Sequence, residues 1–472
     1  MTAKPRSGWT LAIVSVALFM TALDNLVVGI ALPSIRAELG GSLESLEWTV
    51  NAYTLAFAVF LLTGAALGDR FGRKRMFVAG LALFTASSAA AAVVGSIDGL
   101  IAARALQGVG AAIVTPLTLT LLNEAVPAER RGAALGIWAG VSGLGVAMGP
   151  LVGGAVVEGI SWHWIFWLNV PVGLALLPLA GRMLSESHGP NERLDLPGLA
   201  LAGTGLLGLT FGIVRANALG WTSATVLTSL ALGVVLLAAF AAWETRSSQP
   251  MLPLRFFRAR GFAATNGVSF AMFFGTFGSI FLLSQFFQAA QGLGPFEAGL
   301  RTLPWTAMPM FVAPVAGLLS DRIGSRPLMV TGLALQSIAI AWLAAVSSPT
   351  TPYAELIAPF ILAGTGMALV FAPSANAVLT SVRPQEAGQA SGATNAIREV
   401  GGVMGVAVLA GVFSAHGSYG DPQAFTDGVT AALPIAAAVL AAGAAIALLV
   451  PGKARPARAR RVTAPAVEPS AA

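Results

Sequence analysis

The residues best placed to do chemistry are acids and bases set inside apolar runs. Asp24 lies in the run from Trp9 to about Leu32, Arg104 in the run 98–122, and the adjacent pair Arg398 and Glu399 in the run 389–414. A charge held in hydrocarbon is costly, so where one is kept it marks an ion or proton path or a structural pair. A carboxyl group at Asp24 can take up and release a proton, or it can cap and brace a helix. At 1.5 Å per residue, Asp24 lies about 6 Å beyond the midpoint of its run and Arg104 about 9 Å outside the midpoint of its own. With the two runs antiparallel, the charges share a depth and can pair, as a tether or as a switch that opens when Asp24 is neutralised. Glu399 is a second candidate proton or cation site, and Arg398 its partner in an internal ion pair.

Two charged turns repeat, GDRFGRKR at 68–75 and SDRIGSRP at 320–327. In the first, Asp69, Arg70, Gly72, Arg73 and Arg75 could form a gate, with Arg130 and Arg131 at the same face. Asp321 and Arg322 hold the matching places in the second. Gly72 allows a tight turn, and the acid can cap or pair with a helix end. The alternative reading is that the basic residues simply mark one side of a membrane, which leaves Asp69 and Gly72 without a reason. Phe270, Phe273, Phe274, Phe277 and Phe281 recur at helical spacing. They could line an apolar cavity, with Phe270, Phe273 and Phe277 the candidates, or they could face lipid. Trp48, Trp162, Trp164 and Trp167 read as interfacial anchors.

These side chains need spanning helices to hold them. Of 472 residues, 56% are hydrophobic and 10% charged. There are about fourteen apolar runs of roughly 20 residues each, at 9–32, 48–68, 76–95, 98–122, 133–158, 164–183, 197–215, 223–243, 262–288, 297–319, 327–346, 354–376, 389–414 and 430–450. None alternates as a barrel strand would, so all are expected to be helices. The first run is too long for a signal peptide. Roughly 22 Lys and Arg fall on one side and about 3 on the other, which predicts an even span count with both termini cytoplasmic. VPAERRGAALG (126–136) repeats as RPQEAGQASG (383–392), matching Pro127, Glu129, Gly132 and Gly136 with Pro384, Glu386, Gly388 and Gly392. The repeat predicts an all-α integral membrane protein with two pseudo-symmetric bundles, each of about six helices, and an inserted pair. The expected divisions are 1–185, the insert 186–246, a cytoplasmic linker 247–261, the second bundle 262–450, and a disordered cytoplasmic tail 451–472.

Five local patterns resemble the Major Facilitator Superfamily, and within it the drug:proton antiporters with fourteen spanners. They are LDNLVVGIALP (23–33), GDRFGRKR (68–75), RALQGVGAA (104–112), GVAMGPLVGG (145–154) and WHWIFWLNVPVG (162–173). Ala65 stands where the turn pattern usually opens with Gly, and His163 where the family usually has Arg. The resemblance implies that Arg104 is linked to a proton-carrying acid and that the Asp69 network latches the inner face. It also implies that Gly145, Gly149, Pro150, Gly153 and Gly154 form a seal between halves; ordinary close packing of helices describes the same contact.

Several functions are excluded. Cys is absent and His163, His188 and His416 are far apart, so no metal site or cofactor is expected. There is no ATP-binding phosphate loop, no extramembrane region large enough for an enzyme, and no selectivity filter. The formal charge of +6 sits in short loops, which argues against nucleic acid as a partner. The reading is a monomeric transporter of the cell membrane. Its partners are protons, the lipid bilayer and a small organic substrate, a drug or antibiotic, exported by alternating access. The alternatives are a metabolite importer and a non-transporting receptor or scaffold.

Overall fold

An apolar chain in a bilayer must satisfy its own backbone hydrogen bonds, and this chain does so with helices throughout. The computed structural model describes residues 7–40, 43–127, 130–189, 195–247, 250, 252–418 and 421–452. Glu129, the expected tail beyond residue 452 and the side chain of Pro150 lie outside what is described. In order, the helices are α1 (Ser7–Leu39), α2 (Leu43–Phe71), α3 (Arg73–Val93), α4 (Ile97–Ala125), α5 (Arg131–Gly159), α6 (His163–Trp167), α7 (Asn169–Met183), α8 (Leu196–Leu219) and α9 (Ala224–Glu244). They continue with the short α10 (Arg255–Arg258), α11 (Arg260–Ala289), α12 (Pro295–Thr306), α13 (Met308–Ile323), α14 (Ser325–Val346), α15 (Tyr353–Thr380), α16 (Ala387–His416) and α17 (Pro422–Ala447).

Among the described residues, 13 stretches are long and apolar enough to cross a membrane. Two of them, 163–183 and 296–323, are each built from two consecutive helices. The second breaks at Ala307, where Pro304 and Pro309 remove backbone donors that a continuous helix would use. The 29-residue α5, between α4 and α6, is a further long apolar helix.

One large buried cluster draws mainly on α1 to α5 and α7, and another on α11, α12 and α14 to α17. Helices α8 and α9 pack on each other, and α8 also lies against α2 and α16. A smaller cluster joins Leu62, Ala202, Leu206 and Phe240 to Ala390 and Ala393. Of the expected interfacial tryptophans, Trp164 is exposed, whereas Trp162 is buried and donates to Glu38 Oε2 at 2.8 Å.

Candidate functional site

A dry polar cluster forms where α1, α3, α4 and α7 meet. Asp24 and Arg104 are both fully buried, and Arg104 Nη1 donates to Asp24 Oδ2 at 2.6 Å. Asp24 Oδ1 accepts from Gln107 Nε2 and from Asn169 Nδ2, each at 2.8 Å. Asn169 Nδ2 also reaches Ser88 Oγ at 3.1 Å, and Ser88 donates to the Phe166 carbonyl at 2.9 Å. Arg104 is itself steadied by the Thr49 carbonyl at 3.2 Å and Gln107 Oε1 at 2.7 Å. Its guanidinium lies 4.3 Å from the centre of the Tyr53 ring, a desolvated cation–π contact worth about 2 kcal/mol.

The arrangement is sensitive to a proton. Three donors converge on two carboxylate oxygens. Protonating Oδ2 would set an O–H against Arg104 Nη1, so one of the two must move. Sequence reasoning singled out Asp24 and Arg104 but not Gln107, Asn169, Ser88, Thr49 or Tyr53. Gln107 was detectable three residues after Arg104, on the same helix face. Asn169 lies within the WHWIFWLNVPVG pattern.

A cavity lies between the two halves, walled by α1, α2, α4 and α5 on one side and α11, α13, α15 and α16 on the other. Its wall is rich in aromatic rings, Tyr53, Phe57, Trp138, Phe273, Phe277 and Phe371. Trp138 stacks on Phe371 at 5.7 Å, Phe371 on Phe273 at 6.1 Å, and Phe273 on Phe277 at 5.2 Å. Thr21, Thr115, Ser142, Asn395, Arg398 and Glu399 are the polar groups of the wall. An apolar cavity with a few convergent polar groups is the usual form of a small-molecule site. Phe270 is half-buried beside Phe274 and is not part of this wall.

Arg398 and Glu399 do not form an internal ion pair. Arg398 Nη2 donates to Ser374 Oγ at 3.0 Å, and its guanidinium lies 4.9 Å from the Phe371 ring and 5.6 Å from the Phe273 ring. Among the described residues, Glu399 accepts no hydrogen bond and has no ion-pair partner, and it faces the cavity.

The charged turns meet the opposite half of the molecule. Arg73 is fully buried and binds Asp69 Oδ1 at 2.8 Å, Glu124, and the Gln385 carbonyl at 3.0 Å. Gly72 has φ 107, a left-handed conformation that only glycine adopts cheaply. Gly324 has φ 87 at the matching position. The Asp69 carboxylate abuts Gly388 in the first turn of α16, and the Asp321 carboxylate abuts Gly132 in the first turn of α5. A methyl group at either glycine would overlap the acid. Each acid thus sits at the positive end of a helix from the other half. Arg70 and Arg322 are exposed. Arg75 is exposed and 3.8 Å from Glu186. Arg131 donates to the Val126 carbonyl at 3.3 Å, and Arg130 holds the position before α5 without a side-chain capping bond.

The small residues of α5 do two things. Gly145 lies against the Phe19 carbonyl of α1, within its own half, while Gly154 approaches Phe296 of α12. Gly149 and Gly153 are buried.

Comparison with known proteins agrees with this architecture. A model of the Major Facilitator Superfamily matches residues 14–406 and 265–468. The tetracenomycin C resistance and export protein of Streptomyces glaucescens is 34% identical over 85% of this chain and 74% of its own length. The cephamycin export protein CmcT of Amycolatopsis lactamdurans is 37% identical over 89% and 88%. Among solved structures, the proton:xylose symporter XylE superposes with a TM-score of 0.67 at 15% identity, covering 94% of this chain and 96% of that one.

Proposed function

Because the chain belongs to the Major Facilitator Superfamily, we propose that it exports small organic molecules, antibiotics among them, in exchange for protons. It is a multi-pass membrane transporter and not an enzyme. The export reading draws on relatives named for antibiotic export and resistance. The proton reading rests on one observation: a fully buried carboxylate, held by three donors, one aromatic ring away from a central cavity.

In this reading residues 1–185 and 262–450 rock against each other about the cavity, and 186–246 form an inserted pair of helices, about fourteen spans in all. The face carrying Asp69 and Asp321 is cytoplasmic, as are both termini, in the cell membrane. Asp69 and Asp321 latch that face closed while the cavity serves the other side. Protonation of Asp24 parts it from Arg104, and the released Arg104 biases the halves toward the other state. The monomer is the transporting unit in this reading.

Expression in an efflux-deficient host with a panel of antibiotics tests the cargo. Increased resistance to at least one compound, with its efflux from loaded cells, is the expected result. Inward accumulation of a metabolite without efflux would instead favour an importer.

A further inference from the structure

We propose that Tyr53 is the positioning residue through which cargo in the cavity is felt by the Asp24–Arg104 pair. The inference rests on the proton-exchange reading above and names the link it leaves open. Neither Asp24 nor Arg104 lines the cavity, yet occupancy and protonation must influence each other for exchange to be coupled. Tyr53 touches both. It belongs to the cavity wall, beside Phe57, on which it stacks at 6.0 Å and 11°. It also holds the Arg104 guanidinium 4.3 Å from its ring centre.

The ring is well fixed for this task. Tyr53 is 2% exposed, and its hydroxyl donates to the Thr21 carbonyl at 3.4 Å, on the helix that carries Asp24 three residues later. Gly108, on the helix of Arg104, packs directly on the Tyr53 backbone. A cargo that presses or stacks on the wall at Tyr53 therefore moves the surface on which Arg104 rests. Arg104 in turn has one donor, Nη2, without a hydrogen-bond partner among the described residues, so it has a direction in which to move. The ring, not the hydroxyl, carries the guanidinium contact. Tyr53→Phe is thus the conservative variant and Tyr53→Leu the disruptive one.

The test uses the full-length protein in detergent and in liposomes, with ethidium as a planar cationic probe suited to stacked rings and Glu399. In the wild type, the ethidium Kd is expected to change about tenfold between pH ~6 and pH ~8, because proton and cargo are coupled. Tyr53→Phe should keep that change. Tyr53→Leu should lose the pH dependence of ethidium binding whatever its affinity at a single pH, and its proton-driven transport should fall about tenfold. In the free protein, carbodiimide labelling of Asp24 should differ at least about threefold between Tyr53→Leu and the wild type and be unchanged in Tyr53→Phe. Retention of both the pH-dependent Kd and the wild-type labelling in Tyr53→Leu would overturn the assignment while leaving proton exchange intact. A wild type whose ethidium affinity ignores pH would overturn proton exchange, and the role of Tyr53 with it. If ethidium does not bind at all, the labelling comparison decides alone.

Discussion

Two of the buried arginines of this transporter, Arg104 and Arg398, sit in contrasting surroundings. Arg104 faces a carboxylate that is bound on both oxygens, in a cluster closed off from the cavity. Arg398 has a neighbouring acid in sequence but not as a partner; it rests on two phenyl rings and one serine, and Glu399 turns to the cavity. The first half of the chain holds a buried ion pair whose carboxylate accepts hydrogen bonds on both oxygens. The second half presents an acid that only a bound molecule, water or a proton can satisfy.

This contrast can be broken most severely at Asp24. Asp24→Asn offers one acceptor oxygen where three donors converge, and it cannot cycle a proton; proton-driven export should fall about hundredfold, measured in liposomes. Arg104→Ala leaves a buried carboxylate without its countercharge. It should destabilise the protein by about 3–5 kcal/mol, read by thermal unfolding in detergent. Arg398→Ala should cost less, because its hydrogen bond goes to a serine hydroxyl and not to a carboxylate. Glu399→Gln sharpens the comparison from the other side: affinity for a cationic probe should drop about tenfold while that for a neutral one stays within about twofold. Equal losses for both probes would mean that Glu399 is structural. The smallest expected effect is at the charged turns. Gly388→Ala and Gly132→Ala each force an acid off a helix end and should each cost about 1–3 kcal/mol. Labelling of cysteines introduced on the Asp69 face should rise in both.

The legible parts of the molecule were those with a price in hydrocarbon. Apolar runs about 20 residues long could only be helices, and the helical assignment follows from that constraint. The depth argument brought Asp24 to Arg104, and the two side chains meet. The match of Gly132 with Gly388 pointed to equivalent places, and each lies against the acid of a charged turn. Neutral amides were silent: Gln107 and Asn169 are inexpensive enough to occur anywhere, so their type carries no warning. Membership of the cavity wall was also hidden, because helices that face lipid and helices that face one another are equally apolar. Hence Phe273 and Phe277 reach the cavity while Phe270, one turn away on the same stripe, does not. The run read as one helix at 297–319 is broken at Ala307, between Pro304 and Pro309, and Pro309 reaches the cavity wall.

The most direct test of the account is cargo-driven proton movement in liposomes carrying a trapped pH indicator. Adding a transported antibiotic to wild-type liposomes should move protons in the direction opposite to the antibiotic, and Asp24→Asn liposomes should show no proton movement at equal protein content. Proton movement of wild-type size in Asp24→Asn would contradict the account.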